Sequence, residues 1–164
     1  MSRKYDEYLQ EHISNVERAF LWLVDHNIID EADVPPNAIY HHDESKFSKD
    51  EYDAYDKYFF KDKEAAKEEF EKAWLHHIRN NPHHWNYWVV VDAKNEVYPI
   101  DMPKRYVIEM LCDHLSFAFK KNDLNEIFEF YCNKKSDMVL TKNTRDLYES
   151  YLNKIAAIIK KENA

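Results

Sequence analysis

From Tyr5 to Val24 the apolar residues Tyr5, Tyr8, Leu9, Ile13, Val16, Phe20, Leu23 and Val24 recur every three or four positions, the spacing of an amphipathic helix. His12 falls on that stripe. Asp33 to Asn37, with Pro35 and Pro36 at its centre, reads as a turn leading into a short helix that carries Ile39, Tyr40, His41, His42 and Asp43. Ser48 and Glu51 have capping-box spacing and predict a helix start there. Lysine and glutamate dominate from Lys61 to Glu71, while Phe70, Ala73, Trp74 and His77 share one helical row. The expectation is one long helix with a buried edge, ended by Asn80, Asn81 and Pro82. Trp88 to Val91, polar Asp92 to Glu96, then Val97 and Tyr98 form the only strand signal, a small hairpin. Pro103 can start a helix in which Tyr106, Met110, Asp113 and Phe117 share a face. Two more helices follow, Leu124 to Asn133 and Thr144 to Lys160. The pattern predicts an all-α chain with one minor β-hairpin, without internal repeats.

Composition narrows the function classes. A chain of 164 residues, 45% apolar and 15% aromatic, can bury one contiguous core, so a single domain over residues 1–164 is expected. Glycine is absent, which excludes the Gly-rich loops that cradle nucleotide phosphates. A formal net charge of −8 offers no basic footprint for a nucleic-acid duplex. No leader and no apolar run long enough to span a bilayer is evident, so a soluble cytoplasmic protein without membrane contact is expected. Cys112 and Cys132 stand alone on predicted helices and read as buried thiols rather than a disulfide or a zinc knuckle.

The nine histidines change the picture. His12, His77 and Asp113 each fall on the buried row of a separate helix, and a buried polar group without a partner costs a few kcal/mol. Taken alone, His12 reads as a hydrogen-bonded core histidine. Taken together, the set points to a shared metal. The adjacent His42 and Asp43 can present an imidazole nitrogen and a carboxylate to neighbouring ions. A bridging carboxylate helps to hold two divalent transition metals about 3.5–4 Å apart. His76 and His77 precede Pro82, and His83 and His84 follow it, so a broken helix can aim both pairs inward.

The order of one histidine, a His-Asp doublet, further histidines and a late aspartate resembles the HD phosphohydrolase superfamily. HHDESKFS, AWLHHIRNNPHHWNYW and DMPKRYVIEMLCDHLSF are also similar to a family of small uncharacterised proteins encoded by phages and Gram-positive bacteria. The resemblance implies an HD-type helical domain with His12, His42, Asp43, His77, one of His83 and His84, and Asp113 as ligands of two divalent ions (Mn, Fe, Zn, Co or Ni). His84 is favoured because it stands seven residues, about two helical turns, from His77. His83, His76 and His41 are then pocket residues beyond the ligands. Lys46, three residues after Asp43, matches the His-Asp-x-x-Lys form of HD-GYP phosphodiesterases and HD oxygenases.

The function this resemblance implies is hydrolysis of a phosphate ester or phosphodiester, with a nucleotide as the small phosphorylated partner. Asp43, Lys46 and His83 are the expected catalytic residues, Lys46 as a phosphoryl contact and His83 or His76 as proton donor to the leaving oxygen. Lys46, Arg79, His76 and Arg105 are the expected substrate contacts. Trp85, Tyr87 and Trp88 read as core rather than as a base-stacking platform, and Asp101 as a helix cap. Two rival readings remain: a di-iron HD-type oxygenase, and a non-catalytic phage protein that sequesters a nucleotide or engages a host protein.

Overall fold

Helix α1 (Arg3–Asp25) buries Tyr5, Leu9, His12, Asn15, Val16, Ala19 and Leu23 on one stripe, close to the sequence pattern. The computed structural model describes residues 2–162, and in that span the fold is all-α with one hairpin. After α1 come α2 (Pro36–Tyr40), α3 (Tyr52–Phe60) and α4 (Lys67–Asn80). Strands β1 (Val89–Val91) and β2 (Val97–Pro99) pair antiparallel with Val90 opposite Tyr98. The chain then forms α5 (Lys104–Lys121), α6 (Glu126–Lys134) and α7 (Lys142–Glu162).

Four local expectations are corrected. The long helix expected from Lys61 begins only at Lys67, because the chain turns between α3 and α4. Asp62 Oδ1 accepts the Ala65 amide at 3.0 Å, a side-chain bond that competes with helix continuation. Tyr58 and Phe70 then stack at 3.9 Å between ring centroids across the two helices. The capping box is also absent: Ser48 Oγ has no partner, and Glu51 is fully buried and points elsewhere. Asp101 does not cap α5. Its carboxylate accepts from Thr141 Oγ1 and from Asn143 Nδ2, tying the hairpin exit to the start of α7. Cys112 is buried as expected, whereas Cys132 is exposed on α6.

The chain has no glycine, and its described left-handed positions fall to Asn27, Asp43, Asn95 and Asn122. Asparagine and aspartate tolerate this region best among residues with a side chain. Asn27 follows the end of α1, Asn95 lies in the hairpin turn and Asn122 follows α5. The fourth position, Asp43, ends no long element.

Two apolar clusters meet along α1. Its N-terminal end packs Tyr5 and Leu9 against Tyr52, Tyr55 and Ala73 of α3 and α4. Its later turns pack Val16, Ala19 and Leu23 with Val107, Leu111 and Leu115 of α5 and with residues of α6 and α7 such as Ile127, Tyr148 and Ile155. His12 lies between Leu9 and Val16, at the seam of the two clusters. No helix among the described residues is long and apolar enough to cross a membrane.

Candidate metal centre

α2 ends at Tyr40, so the His42–Asp43 doublet sits in a turn rather than on the short helix expected from sequence. Asp43 has φ 58° and ψ 20°, and both doublet side chains are buried. The left-handed turn delivers a carboxylate into the seam beside His12.

The two oxygens of Asp43 face different partners. Oδ2 lies 3.3 Å from His12 Nε2 and 3.6 Å from His42 Nε2. Asp113 Oδ1 on α5 lies 3.3 Å and 3.7 Å from the same two nitrogens. Asp43 Oδ1 lies 3.2 Å from His77 Nε2 and 3.5 Å from His83 Nε2. His84 Nε2 is 2.8 Å from His77 Nε2. His12, His42 and Asp113 form one group that could hold a metal ion, and Asp43, His77, His83 and His84 form another.

Four buried atoms in this cluster lack a hydrogen-bond partner among the described residues: His12 Nε2, His42 Nε2, His83 Nε2 and Asp43 Oδ1. An orphaned buried polar atom costs about 1–3 kcal/mol, so four in one place require a common explanation. Imidazole nitrogens and a carboxylate converging within bonding reach of a shared point suit divalent transition metals.

Buried carboxylates set the charge state of the cluster. Burial disfavours ionised Asp43, but His42 and Lys46 outweigh it and hold the carboxyl well below its usual range. Burial likewise opposes charge on His42, yet Asp43 and Asp113 push its pKa up to about 10. His84 differs, because burial and then His83 drive it well below the ordinary value. Lys46 Nζ lies 2.5 Å from Asp43 Oδ2 and 5.7 Å from the centroid of the Tyr55 ring.

A further layer orients the imidazoles. Glu51 Oε2 accepts from His77 Nδ1 at 2.8 Å and Oε1 from His76 Nδ1 at 2.6 Å. Glu109 Oε1 lies 3.1 Å from both His42 Nδ1 and His83 Nδ1. Ser116 Oγ lies 3.3 Å from His12 Nδ1. Outer carboxylates and hydroxyls of this kind fix the tautomer and aim of metal-binding imidazoles. Sequence reasoning missed Glu51, Glu109 and Ser116. A signal existed on α5, where Glu109, Asp113 and Ser116 fall at i, i+4 and i+7 on one face.

The choice between His83 and His84 dissolves, because both imidazoles reach the cluster. His83, expected as a proton donor, is buried, with Nε2 toward Asp43 and Nδ1 on Glu109. His76 is bound to Glu51, and His41 is exposed beside Glu44. Arg79 is exposed two residues past His77, on the opposite side of α4. Arg105, expected as a substrate contact, stacks on Tyr106 and lines a surface depression with residues 30–35, apart from the cluster.

A cavity of about 330 Å³ adjoins the cluster, with His83, His84 and Asp113 in its lining and Trp74, Trp85, Phe117 and Phe130 among its aromatic walls. A larger open depression of about 620 Å³ lies by Asn27, Asp33 and Lys104 and contains none of the cluster residues. Trp88 donates from Nε1 to the Pro82 carbonyl at 2.7 Å and packs on the core, as expected, while Trp85 also faces the cavity. Tyr87 is exposed.

No curated protein and no solved structure gives a significant match to the chain. Residues 1–156 match a family of unknown function, DUF5662, and the chain belongs to that family.

Proposed function

We propose that this chain is an HD-type metal-dependent phosphohydrolase or phosphodiesterase acting on a nucleotide or related phosphate ester. The observation that carries the reading is the convergence of four unpartnered buried atoms, from His12, His42, His83 and Asp43, on the two sides of one carboxylate. His12, His42, Asp43 and Asp113 would hold one divalent cation, and Asp43, His77, His83 and His84 the other. Such a pair of Mn, Fe, Zn, Co or Ni ions supplies Lewis acidity and activates water for attack on phosphorus.

The chain's own residues do the rest. Asp43 holds the two positions at a common edge. The Lys46 ammonium, with a side chain only 13% exposed, offers positive charge to phosphoryl oxygens in a place little screened by solvent. The aromatic walls of the adjoining cavity suit the flat face of a nucleobase and exclude bulk water from one side of the site. The protein's overall negative charge does not oppose phosphate binding, because local charge at a metal centre dominates distant surface carboxylates.

Protein loaded with manganese and screened against nucleoside monophosphates, diphosphates, triphosphates and cyclic nucleotides is expected to release phosphate or a ring-opened nucleotide. Asp43→Ala should abolish that release. Tight nucleotide binding without turnover under any of the five metals would transfer the assignment to a sequestering protein.

A further inference from the structure

We propose that Glu109 is a positioning residue shared by both metal positions, so that one buried carboxylate governs how firmly the chain holds two cations at once. This rests on the metal-centre reading above. Glu109 lies on α5 one turn before Asp113, and its side chain is 9% exposed. A single oxygen, Oε1, is 3.1 Å from His42 Nδ1 and 3.1 Å from His83 Nδ1. Those imidazoles belong to different groups, since His42 faces Asp43 Oδ2 and His83 faces Asp43 Oδ1. Their rings lie 4.3 Å apart between centroids, so Glu109 holds them side by side, one aimed at each oxygen of the shared aspartate.

An imidazole that donates from Nδ1 to a carboxylate presents its Nε2 lone pair outward and becomes a better ligand. The Nε2 atoms of His42 and His83 are both buried and unpartnered, which is the state such donation prepares. The other outer residues reach only one ligand histidine each: Glu51 touches His77, and Ser116 touches His12. Glu109 is therefore the group through which a loss at one position becomes a loss at both. His42, His83 and Glu109 could also enclose an ion among themselves. The outward direction of the two unpartnered Nε2 atoms favours the positioning role.

The test compares Glu109→Gln, Glu109→Asp and Glu51→Gln with wild-type protein by competition for manganese and cobalt against a chromophoric chelator, with metal content per chain measured alongside. Loss of an outer carboxylate typically costs about 10- to 100-fold in metal affinity. Glu109→Gln should weaken both stepwise affinities by that factor, whereas Glu51→Gln, which removes the same charge, should weaken one. Glu109→Asp keeps the charge at shorter reach and should weaken both to a smaller degree, so the test stands even where the glutamine variant does not fold. A wild-type chain that binds two ions, with Glu109→Gln affecting only one or neither, overturns the inference and leaves the metal reading intact. Three ions in wild type and two in Glu109→Gln make Glu109 a ligand and overturn it as well. A wild-type chain that holds no cation overturns the metal reading and this inference together.

Discussion

His77 and His84 place their Nε2 atoms 2.8 Å apart although a helix end and a proline stand between them in sequence. His77 occupies the last turn of α4, and Asn81 closes that helix by donating from Nδ2 to the His77 carbonyl at 2.8 Å. The chain then reverses through Pro82, and His83 and His84 return toward the same edge of Asp43. The His77 ring is fixed from behind by Glu51. His84 is pushed toward its neutral form by burial and by His83, so it offers a lone pair where His77 and Asp43 already converge.

That convergence predicts a graded loss of metal. His83→Ala and His84→Ala are each expected to lose the more weakly held ion first, leaving close to one per chain. Asp43→Ala, which removes the shared carboxylate, should lose both. His26→Ala should keep both, because His26 bonds the Trp22 carbonyl at the end of α1, away from the cluster. Elemental analysis after dialysis decides this, and equal metal content in all four variants would contradict the shared site.

Lys46→Ala separates substrate binding from metal retention. Removing one positioned charge that stabilises the transition state commonly costs about 10²–10³-fold in turnover. The expected result is a loss near that range with metal content unchanged. Parallel loss of metal would mean that Lys46 serves Asp43 rather than the phosphoryl group.

The reaction class is tested by isotope. A hydrolytic site needs a Lewis acid and water but no change of oxidation state. Manganese-loaded protein should therefore turn over without dioxygen, and the new oxygen in the product should come from labelled water. Label from dioxygen together with an absolute requirement for iron would assign the di-iron oxygenase instead.

His114 should make stability depend on pH. Burial lowers its pKa to about 4, with Asp113 opposing and His83 adding to the effect, and its Nδ1 pairs with the Tyr148 hydroxyl at 2.8 Å. Cations at Asp113 push in the same direction. Because the folded value is depressed, the unfolded chain takes the proton first: stability is full above about pH 6.5 and falls as pH drops toward 4. The loss is at most about 3 kcal/mol, reduced by screening at the partly exposed ring edge. Chelated wild-type and His114→Phe proteins compared by urea unfolding at several pH values should show a shallower pH slope for the variant.

Core packing gives a reference for these variants. Leu111 is fully buried on α5 among the residues that join α1 to α7. Leu111→Ala should cost about 2–5 kcal/mol, measured as a lower urea midpoint at an unchanged m-value.

What the sequence determined by itself was whatever depends on local periodicity and on which side chains can bind a cation. The stripe of α1, the start of α5 near Pro103 and the span of α7 follow from the i, i+3, i+4 spacing of apolar residues, because a helix buries one face whatever it packs against. His12, His77 and Asp113 stood out because they fell on rows otherwise apolar, and the His42–Asp43 doublet because its two adjacent side chains suit a cation. Tertiary structure decided where those rows meet. Glu51 has the spacing of a helix cap, yet it turns inward because two imidazoles of α4 offer it stronger partners than a backbone amide. Glu109 and Ser116 share a face of α5 with Asp113, but Ser116 gains its partner because α5 packs on α1, and Glu109 gains its partners because the turns that carry His42 and His83 close over it. Spacing favoured His84 over His83, yet both reach the cluster, since the direction of a side chain beyond a proline depends on the turn that follows it. Arg79 and Arg105 carry the right charge for phosphate, but helix phase and packing place one on the far side of α4 and the other beside Tyr106, and charge alone has no address until the fold supplies one.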